Sequence, residues 1–290
     1  MRSIPIENID ELNDLALEFR YVISDIICKS GGGHIGGSLS LVEIIISLYF
    51  RLMNLKPDQP RWAERDRLVL SKGHAGPVLY TALAYRGFFD HDWLPTLNEN
   101  GTDLPSHVDQ TKTPGADMTA GSLGQGLSCA LGIALACKAR HRANNVFCII
   151  GDGESQEGQI WEAALFAGHH KIDNLVTILD YNRMQIDGTV DEILSLDPLG
   201  DKWRSFGWEV FEIDGHDWDE IFTTLKQAID VKDKPAIIIA HTIKAKGNLC
   251  FEGQEACHYI RVPDEKEHAR VLKGVCSEIP PKLPYASKEG

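Results

Sequence analysis

Residues 146–153 read Val-Phe-Cys-Ile-Ile-Gly-Asp-Gly, and residues 175–182 read Leu-Val-Thr-Ile-Leu-Asp-Tyr-Asn. Each stretch is an apolar run rich in β-branched residues, and the segment between them has the small residues of a closely packed helix. A strand–helix–strand unit of this kind favours parallel strands, whose carboxyl ends lie at the edge of a sheet where ligands bind. Asp152 and Asn182 each follow such a run, so we expect their side-chain oxygens to point into one crevice.

These two oxygens suit a hard cation such as Mg²⁺, which in proteins usually shares its ligand shell with phosphate oxygens. The backbone amides after Gly151 are expected to open a helix, and the N-terminus of a helix attracts anions. A lone Gly-Asp-Gly is also a common turn sequence, so two unrelated loop residues are the alternative. The position of each oxygen at the end of a predicted strand favours a site for a metal ion and a diphosphate.

The rest of the chain continues the alternation of strands and helices. Apolar spacing predicts a helix over 7–30 and a buried helix over 40–51, and Pro-Ala-Ile-Ile-Ile-Ala at 235–240 predicts a central strand. Further strands are predicted at 67–71 and 208–213, and further helices end near 86, 141, 206, 231 and 275. We therefore predict an α/β fold: a doubly wound, mostly parallel sheet with helices on both faces. One domain is expected over 1–290, with 277–290 as an extended tail.

Charge and hydropathy disfavour some classes of binding partner and predict the cell compartment. A formal net charge of -13 disfavours nucleic acid and anionic membranes, which are bound through basic surfaces. No apolar stretch approaches the roughly 18–20 residues of a membrane span, and residues 1–10 lack a signal-peptide pattern, so a cytoplasmic protein is expected. The seven cysteines form no Cys-x-x-Cys pair and are predicted to be reduced core residues, without zinc or disulfides.

Several motifs together give a family resemblance. Gly-Asp-Gly followed by Asn resembles the thiamine diphosphate motif, and its surroundings resemble the transketolase family. The matching stretches, in the family's order, begin at Ser30 (Ser-Gly-Gly-Gly-His-Ile-Gly-Gly), Ser71 (Ser-Lys-Gly-His), Lys112 (Lys-Thr-Pro-Gly), Gly121 (Gly-Ser-Leu-Gly-Gln-Gly), Gly151 (Gly-Asp-Gly-Glu-Ser-Gln-Glu-Gly), Ile186 (Ile-Asp-Gly) and Asp214 (Asp-Gly-His-Asp). The α-type subunit of a 2-oxo acid dehydrogenase shares the first motif, but the stretches at Ser30 and Ser71 favour transketolase.

The resemblance implies thiamine diphosphate with Mg²⁺ (or Ca²⁺ or Mn²⁺) as cofactors, and it implies roles for particular residues. The implied metal ligands are Asp152, Asn182 and the backbone carbonyl of Met184. The implied cofactor-binding residues are His74, Gly121, Ser122, Leu123, Gly153, Asn182 and His258. The implied catalytic residues are His34, His107, Glu157, Glu162 and His258.

At some of these positions the sequence also allows a second interpretation of the residue's role. Glu157 and Glu162 resemble a pair that joins a proton relay across a dimer interface. Their small neighbours favour a buried helical face, where carboxylates share protons, over an ordinary solvated face. His107 is either a substrate-facing histidine or an ordinary loop histidine. His258 lies in Cys-His-Tyr, where the family usually has His-Gly, so the geometry of its loop is expected to differ. His216 is expected to be a turn residue.

The resemblance covers only the first of the three domains of a complete transketolase. It implies the N-terminal subunit of a split enzyme that transfers a two-carbon ketol unit from a ketose phosphate to an aldose. A separate C-terminal subunit would then carry the glutamate that activates the cofactor, and two of each chain (α2β2) or a homodimer of this chain would assemble. The alternatives are a split relative that acts on an unusual sugar and a non-catalytic chain that binds the cofactor for regulation.

Overall fold

A five-stranded parallel sheet forms the centre of the computed structural model, which describes residues 4–275 and 280–285. Strands β1 to β7 are Gly32–Gly33, Arg67–Leu70, Val146–Gly151, Leu175–Tyr181, Glu209–Asp214, Ala236–His241 and Ile260–Arg261. Helices α1 to α10 are Ile9–Lys29, Gly36–Leu39, Val42–Ser47, Gly76–Arg86, Gln125–Ala139, Gly158–His169, Val190–Leu194, Leu199–Ser205, Trp218–Asp230 and Glu265–Val275. The sheet order is β2-β3-β4-β6-β5, so the predicted strand at 235–240 lies inside the sheet.

Helices cover both faces of this sheet because alternate residues of each strand point in opposite directions. In β3, Phe147 and Ile149 join an apolar cluster with α1, α3, α4 and α9. Cys148 and Ile150 join a second cluster with α5, α6 and α8. The predicted doubly wound α/β fold is confirmed.

The carboxyl ends of β3 and β4 lie side by side. Their register pairs Gly151 with Asp180, so Asp152 and Asn182 follow within two residues of the last paired position. The crevice expected from the sequence therefore lies at this edge of the sheet.

Two local predictions are wrong in detail. The helix predicted at 40–51 is interrupted, because α3 ends at Ser47 and continues as a π-helix over Leu48–Leu52. No α-helix opens directly after Gly151; a 3₁₀ turn, Gly153–Gln156, comes first and α6 begins at Gly158. The Ser155 hydroxyl donates to the Gly151 carbonyl at 2.9 Å and tightens this turn.

A short antiparallel pair, β1–β7, joins the segment after α1 to the segment before α10. Gly32 pairs with Arg261 and has a φ of +141°. A Cβ atom at Gly32 would lie 2.3 Å from the Ile260 carbonyl oxygen, so only glycine permits this close approach.

The C-terminal tail is only partly described. Residues 280–285 contain neither helix nor strand, and the other residues of the predicted tail lie outside the described part of the chain. Tyr285 anchors the segment, since its hydroxyl donates to Asp25 and its ring lies 4.7 Å from Lys29 Nζ. Among the described residues, no helix is both long and apolar enough to cross a membrane.

Four of the six described cysteines lie in the core, as predicted. The six described cysteines are free, and Cys28, Cys137, Cys148 and Cys257 are buried. Cys129 is exposed on α5, so its assignment to the core is wrong, while Cys250 is half-buried. Cys276 lies outside the described residues.

Candidate functional site

A cavity of about 400 Å³ opens at the carboxyl ends of β2, β3 and β4. It is lined by His34, Gly37, Lys72, His74, His107, Gly121, Leu123, Gly151, Asp152, Gly153, Glu154, Gln156, Glu157, Asn182, Met184, Gln185, Ile186, Lys244 and His258. The structure thus brings together all the residues implied by the resemblance except Ser122 and Glu162. Ser122 is exposed beside the cavity-lining Gly121 and Leu123, and Glu162 lies on α6.

The two oxygen-bearing residues of the opening stretches lie deep in this cavity. Asp152 is almost fully buried and accepts hydrogen bonds from the backbone amides of Gly153, at 2.7 Å, and Arg183, at 2.5 Å. Burial, together with the nearby Asp180 carboxylate, raises the pKa of Asp152 to about 7. Asn182 Oδ1 accepts from the amide of Met184 at 3.1 Å. A bound cation would stabilise the ionised form of Asp152 in this setting.

A buried ion pair lies beneath them. Lys72 Nζ donates to Asp180, which also accepts from the hydroxyls of Ser40, at 2.6 Å, and Thr242. Burial opposes ionisation of Asp180, but Lys72 and these hydrogen bonds outweigh it and hold the pKa of Asp180 below its usual value. Asn182 Nδ2 donates to the same carboxylate at 3.3 Å, which turns Oδ1 of that amide away from Asp180.

Lys244 is a further cation in the cavity that the sequence reasoning missed. Its Nζ donates to the backbone carbonyls of Met184, at 3.2 Å, and Gln185, at 3.1 Å. Burial lowers the pKa of Lys244. Its position just after β6, at the same edge of the sheet as Asp152 and Asn182, is the feature that could have identified it from the sequence.

Side-chain contacts on both sides of Lys244 fix the segment 243–246 to the core. His216 Nε2 accepts from the Ile243 amide at 2.9 Å, while its Nδ1 lies 3.1 Å from Glu43 Oε2. Arg20 pairs with Glu43 at 2.5 Å and donates from Nε to the Lys246 carbonyl at 2.8 Å. His216 is therefore more than a turn residue, because it links this segment to the core.

Four histidines form one wall of the cavity. The His34 ring centroid lies 5.3 Å from those of His74 and His258 and 5.5 Å from that of His107. Burial, with the neighbouring His107, lowers the pKa of His34 to about 4, and burial, with Lys244, lowers the pKa of His258 to about 4. Burial also holds the pKa of His74 well below its usual value. These three imidazoles are therefore neutral near pH 7.

The cavity wall contains polar atoms that lack a partner. His34 Nδ1 and Gln185 Nε2 are buried, with no hydrogen-bond partner among the described residues. Buried polar groups in folded proteins are nearly always paired, so this wall suits a polar ligand. The oxygens of Asp152 and Asn182 and the carbonyl of Met184 suit a hard cation. The residues present therefore fit a metal ion together with an anionic, polar cofactor.

Tyr259 stands at the edge of the histidine wall. The β1–β7 register sets it across from His34, and their rings meet edge-on with centroids 5.0 Å apart. Its side chain is exposed. The Cys-His-Tyr sequence thus keeps His258 in the cavity and adds an aromatic ring next to His34.

The predicted burial of Glu157 and Glu162 is wrong in this chain, where both are exposed. The buried face of α6 consists of Ile160, Ala163, Ala164 and Ala167. The small residues that suggested a buried carboxylate pair therefore pack on the sheet, and Glu162 lies on a face that also exposes Leu165 and Phe166.

Comparisons with known proteins identify the family. The family described as transketolase, thiamine diphosphate binding domain, matches residues 12–274. The chain is 53% identical over 263 residues to the 6-deoxy-6-sulfo-D-fructose transketolase subunit SqwG of a Clostridium species, covering 91% of this chain and 96% of that one. It is 42% identical over 263 residues to one of the subunits of the apulose-4-phosphate transketolase of Actinobacillus succinogenes, covering 90% of this chain and 95% of that one.

Solved structures support the same family assignment. The transketolase of Campylobacter jejuni superposes with a TM-score of 0.88 at 33% identity, over 96% of this chain and 44% of that one. These matches favour transketolase over the 2-oxo acid dehydrogenase alternative. The chain belongs to the transketolase family, as an N-terminal subunit that carries the thiamine diphosphate-binding domain.

Proposed function

We propose that this chain is half of a split transketolase that binds thiamine diphosphate through Mg²⁺ and transfers a two-carbon ketol unit from a ketose to an aldose. One observation carries the proposal: the oxygens of Asp152, Asn182 and Met184 meet the histidine wall in a single cavity. Residues 1–290 act as one diphosphate-binding unit.

The deep end of the cavity is proposed to hold the metal and the diphosphate. Asp152, Asn182 and the Met184 carbonyl supply hard oxygen ligands, which Ca²⁺ or Mn²⁺ also accept. The Lys244 ammonium, now on the carbonyls of Met184 and Gln185, lies where it can neutralise a diphosphate. Gly153, whose amide donates to Asp152, lines the same space, and Gly121 and Leu123 are proposed to form the opposite wall.

The histidine wall is proposed to hold the sugar. When bound, the cofactor supplies the electron sink for breaking and forming the bond next to the carbonyl carbon. Neutral imidazoles can both donate and accept a proton, and His34 keeps Nδ1 free for that purpose. His34, His107 and His258 are therefore assigned to the hydroxyls and the developing oxyanion of the substrate.

A separate C-terminal subunit is proposed to complete the site. SqwG and the apulose-4-phosphate relative are both named as subunits and match this chain over nearly their whole length, whereas the transketolase of Campylobacter jejuni is more than twice as long as the matched part. The exposed face of α6 is proposed to meet a second copy of this chain, which would bury Glu157 and Glu162 in an α2β2 assembly.

A specialised ketose is a second candidate for the donor. The 53% identity to a subunit named for 6-deoxy-6-sulfo-D-fructose exceeds the 42% and 38% to subunits named for apulose 4-phosphate. We therefore place a ketose with an anionic sulfonate or phosphate end first among the donors to be tested.

The test uses this chain co-expressed with the transketolase-like C-terminal subunit of its own organism. Calorimetry with thiamine diphosphate, with and without Mg²⁺, should show Mg²⁺-dependent binding that Asp152→Ala abolishes even with the partner present. Ketol transfer is then measured with fructose 6-phosphate, 6-deoxy-6-sulfo-D-fructose and apulose 4-phosphate as donors. Turnover by this chain alone would overturn the split enzyme, and binding without turnover in the complex would favour the regulatory alternative.

A further inference from the structure

Glu154 is a buried carboxylate at the floor of the cavity to which the proposed function assigns no role. It lies in the 3₁₀ turn after β3 and is 3% exposed. Its Oε1 accepts from the backbone amide of Gly124 at 2.9 Å and from the hydroxyl of Ser71. Its Oε2 accepts from the backbone amide of Gly151 at 3.0 Å.

The three donors come from three different segments of the cavity wall. Ser71 follows β2, Gly151 ends β3, and Gly124 closes the loop that precedes α5. Two of these segments contain residues assigned above to the cofactor, namely Gly153 and Leu123. One side chain therefore fixes the distance between the two walls proposed to enclose the diphosphate.

The loop at 121–124 depends on such an anchor. Gly121 and Ser122 are exposed, and among the described residues nothing but its own chain neighbours lies within 4 Å of a Cβ placed at Gly121. Gly124 has a φ of +87°, which a residue with a side chain rarely adopts. Beyond the loop, a Cβ at Gly126 would lie 2.2 Å from Ser71 Oγ, so the start of α5 packs directly on the same serine.

The chemistry of these contacts requires a carboxylate. Three donors share two oxygens, and an ionised carboxylate offers acceptors on both. A glutamine at this position would have only one acceptor oxygen. Its side-chain NH₂ group would point at one of the backbone N–H groups, and two N–H groups cannot bond to each other. A buried donor left without an acceptor is costly, so one of the two walls would have to move.

We propose that Glu154 is a positioning residue that sets the spacing between the loop at 121–124 and the turn at 151–153, and thereby the affinity for thiamine diphosphate. The link to affinity rests on the proposed function, whereas the link to loop position does not. Glu154 acts through the two backbone segments that it joins.

The first measurement concerns the chain without cofactor. Hydrogen exchange of peptides spanning 119–127 and 149–155 is compared between wild type, Glu154→Gln and Ser71→Ala. Exchange in both peptides should accelerate in Glu154→Gln, and less in Ser71→Ala, which removes one donor and keeps the carboxylate. Glu265→Gln, an exposed change on α10, serves as the matched control and should leave both peptides unchanged.

The second measurement concerns affinity. With Mg²⁺ present, the Kd for thiamine diphosphate should rise roughly ten-fold to a hundred-fold in Glu154→Gln, the effect of losing one charged hydrogen bond. Ser71→Ala should raise it by a smaller factor, and Glu265→Gln should leave it unchanged. Because Ser71→Ala is the milder change, it tests the inference even where Glu154→Gln folds poorly.

The two measurements separate the possible failures. Unchanged exchange at 119–127 and 149–155 in Glu154→Gln would overturn the positioning role. Accelerated exchange with an unchanged Kd would likewise overturn the link from loop position to affinity. If wild type fails to bind thiamine diphosphate with Mg²⁺ even in the complex with the C-terminal subunit, the proposed function fails, and the exchange result still decides whether Glu154 holds the two segments.

Discussion

Two regions of the molecule differ sharply in how their polar groups are satisfied. The first, here called the buried floor, consists of Lys72, Asp152, Glu154 and Asp180, all of them at most 3% exposed and bonded within this chain. The second, the outer face of α6, carries Glu162 beside Leu165 and Phe166, which are 58% and 42% exposed. The polar groups of the buried floor have their partners within this chain. The outer face of α6 instead exposes large apolar side chains, as surfaces that another chain covers do.

Breaking the buried Lys72–Asp180 ion pair is expected to give the largest difference between the buried floor and the surface. Lys72→Met removes the cation next to Asp180 and leaves a buried carboxylate uncompensated, which typically costs about 3–5 kcal/mol. Urea denaturation of the isolated chain should show a loss of that size. Lys138→Met, which breaks an exposed pair with Asp173, is the matched control and should cost less than about 1 kcal/mol. Equal losses in the two variants would contradict the distinction between floor and surface.

The histidine wall is expected to show an intermediate effect. His34 and His258 have pKa values of about 4 in the folded chain, against an ordinary value of 6.5. At these two positions the unfolded chain therefore binds more protons between about pH 6.5 and pH 4, so their contribution to the free energy of unfolding falls as the pH is lowered through this window. After allowance for partial solvent exposure, we expect roughly 1–2 kcal/mol per histidine.

This pH dependence is measured by denaturation at pH 7 and pH 5. The His34→Gln variant should lose less stability than wild type over that interval, because it no longer carries the titrating group. The exposed His169 provides the control, and His169→Gln should follow the wild-type curve. A loss in His34→Gln as large as that of wild type between pH 7 and pH 5 would rule out a neutral His34 in this wall.

The smallest effect is expected on the outer face. Because Glu162 is exposed in the isolated chain, Glu162→Gln should change its free energy of unfolding by no more than about 0.5 kcal/mol. The same change should lower ketol transfer in the complex with the C-terminal subunit, where the proposed interface buries this side chain. A loss above about 1 kcal/mol in the isolated chain would show that Glu162 already has a structural role there.

The sequence predicts well those features that repeat along the chain. The alternation of strands and helices, and the positions of Asp152 and Asn182 at strand ends, follow from apolar periodicity and from the geometry of parallel strands. His34 and His74 lie in glycine-containing motifs that resemble those of the transketolase family, and the same resemblance implies a role for His258 despite its Cys-His-Tyr setting.

The features that were missed depend on tertiary contacts. Asp180 lies inside an apolar run and reads as part of a strand, and its partner Lys72 comes from another strand end. Lys244 was overlooked because an isolated lysine is usually a surface residue. Glu162 is not buried within the single chain, because the alanines beside it pack on the sheet while its own side chain points away from it.

The β1–β7 pair has a consequence for the order in which the site is completed during folding. It joins a segment just after α1 to one just before α10, so it closes a loop that contains all five strands of the parallel sheet. Contacts between residues so far apart in sequence carry a high contact order and a large entropic cost of closure. A ribosome-bound chain can therefore arrange Asp152 and Asn182 early, while His34 meets His258 only after almost all of the polypeptide has emerged.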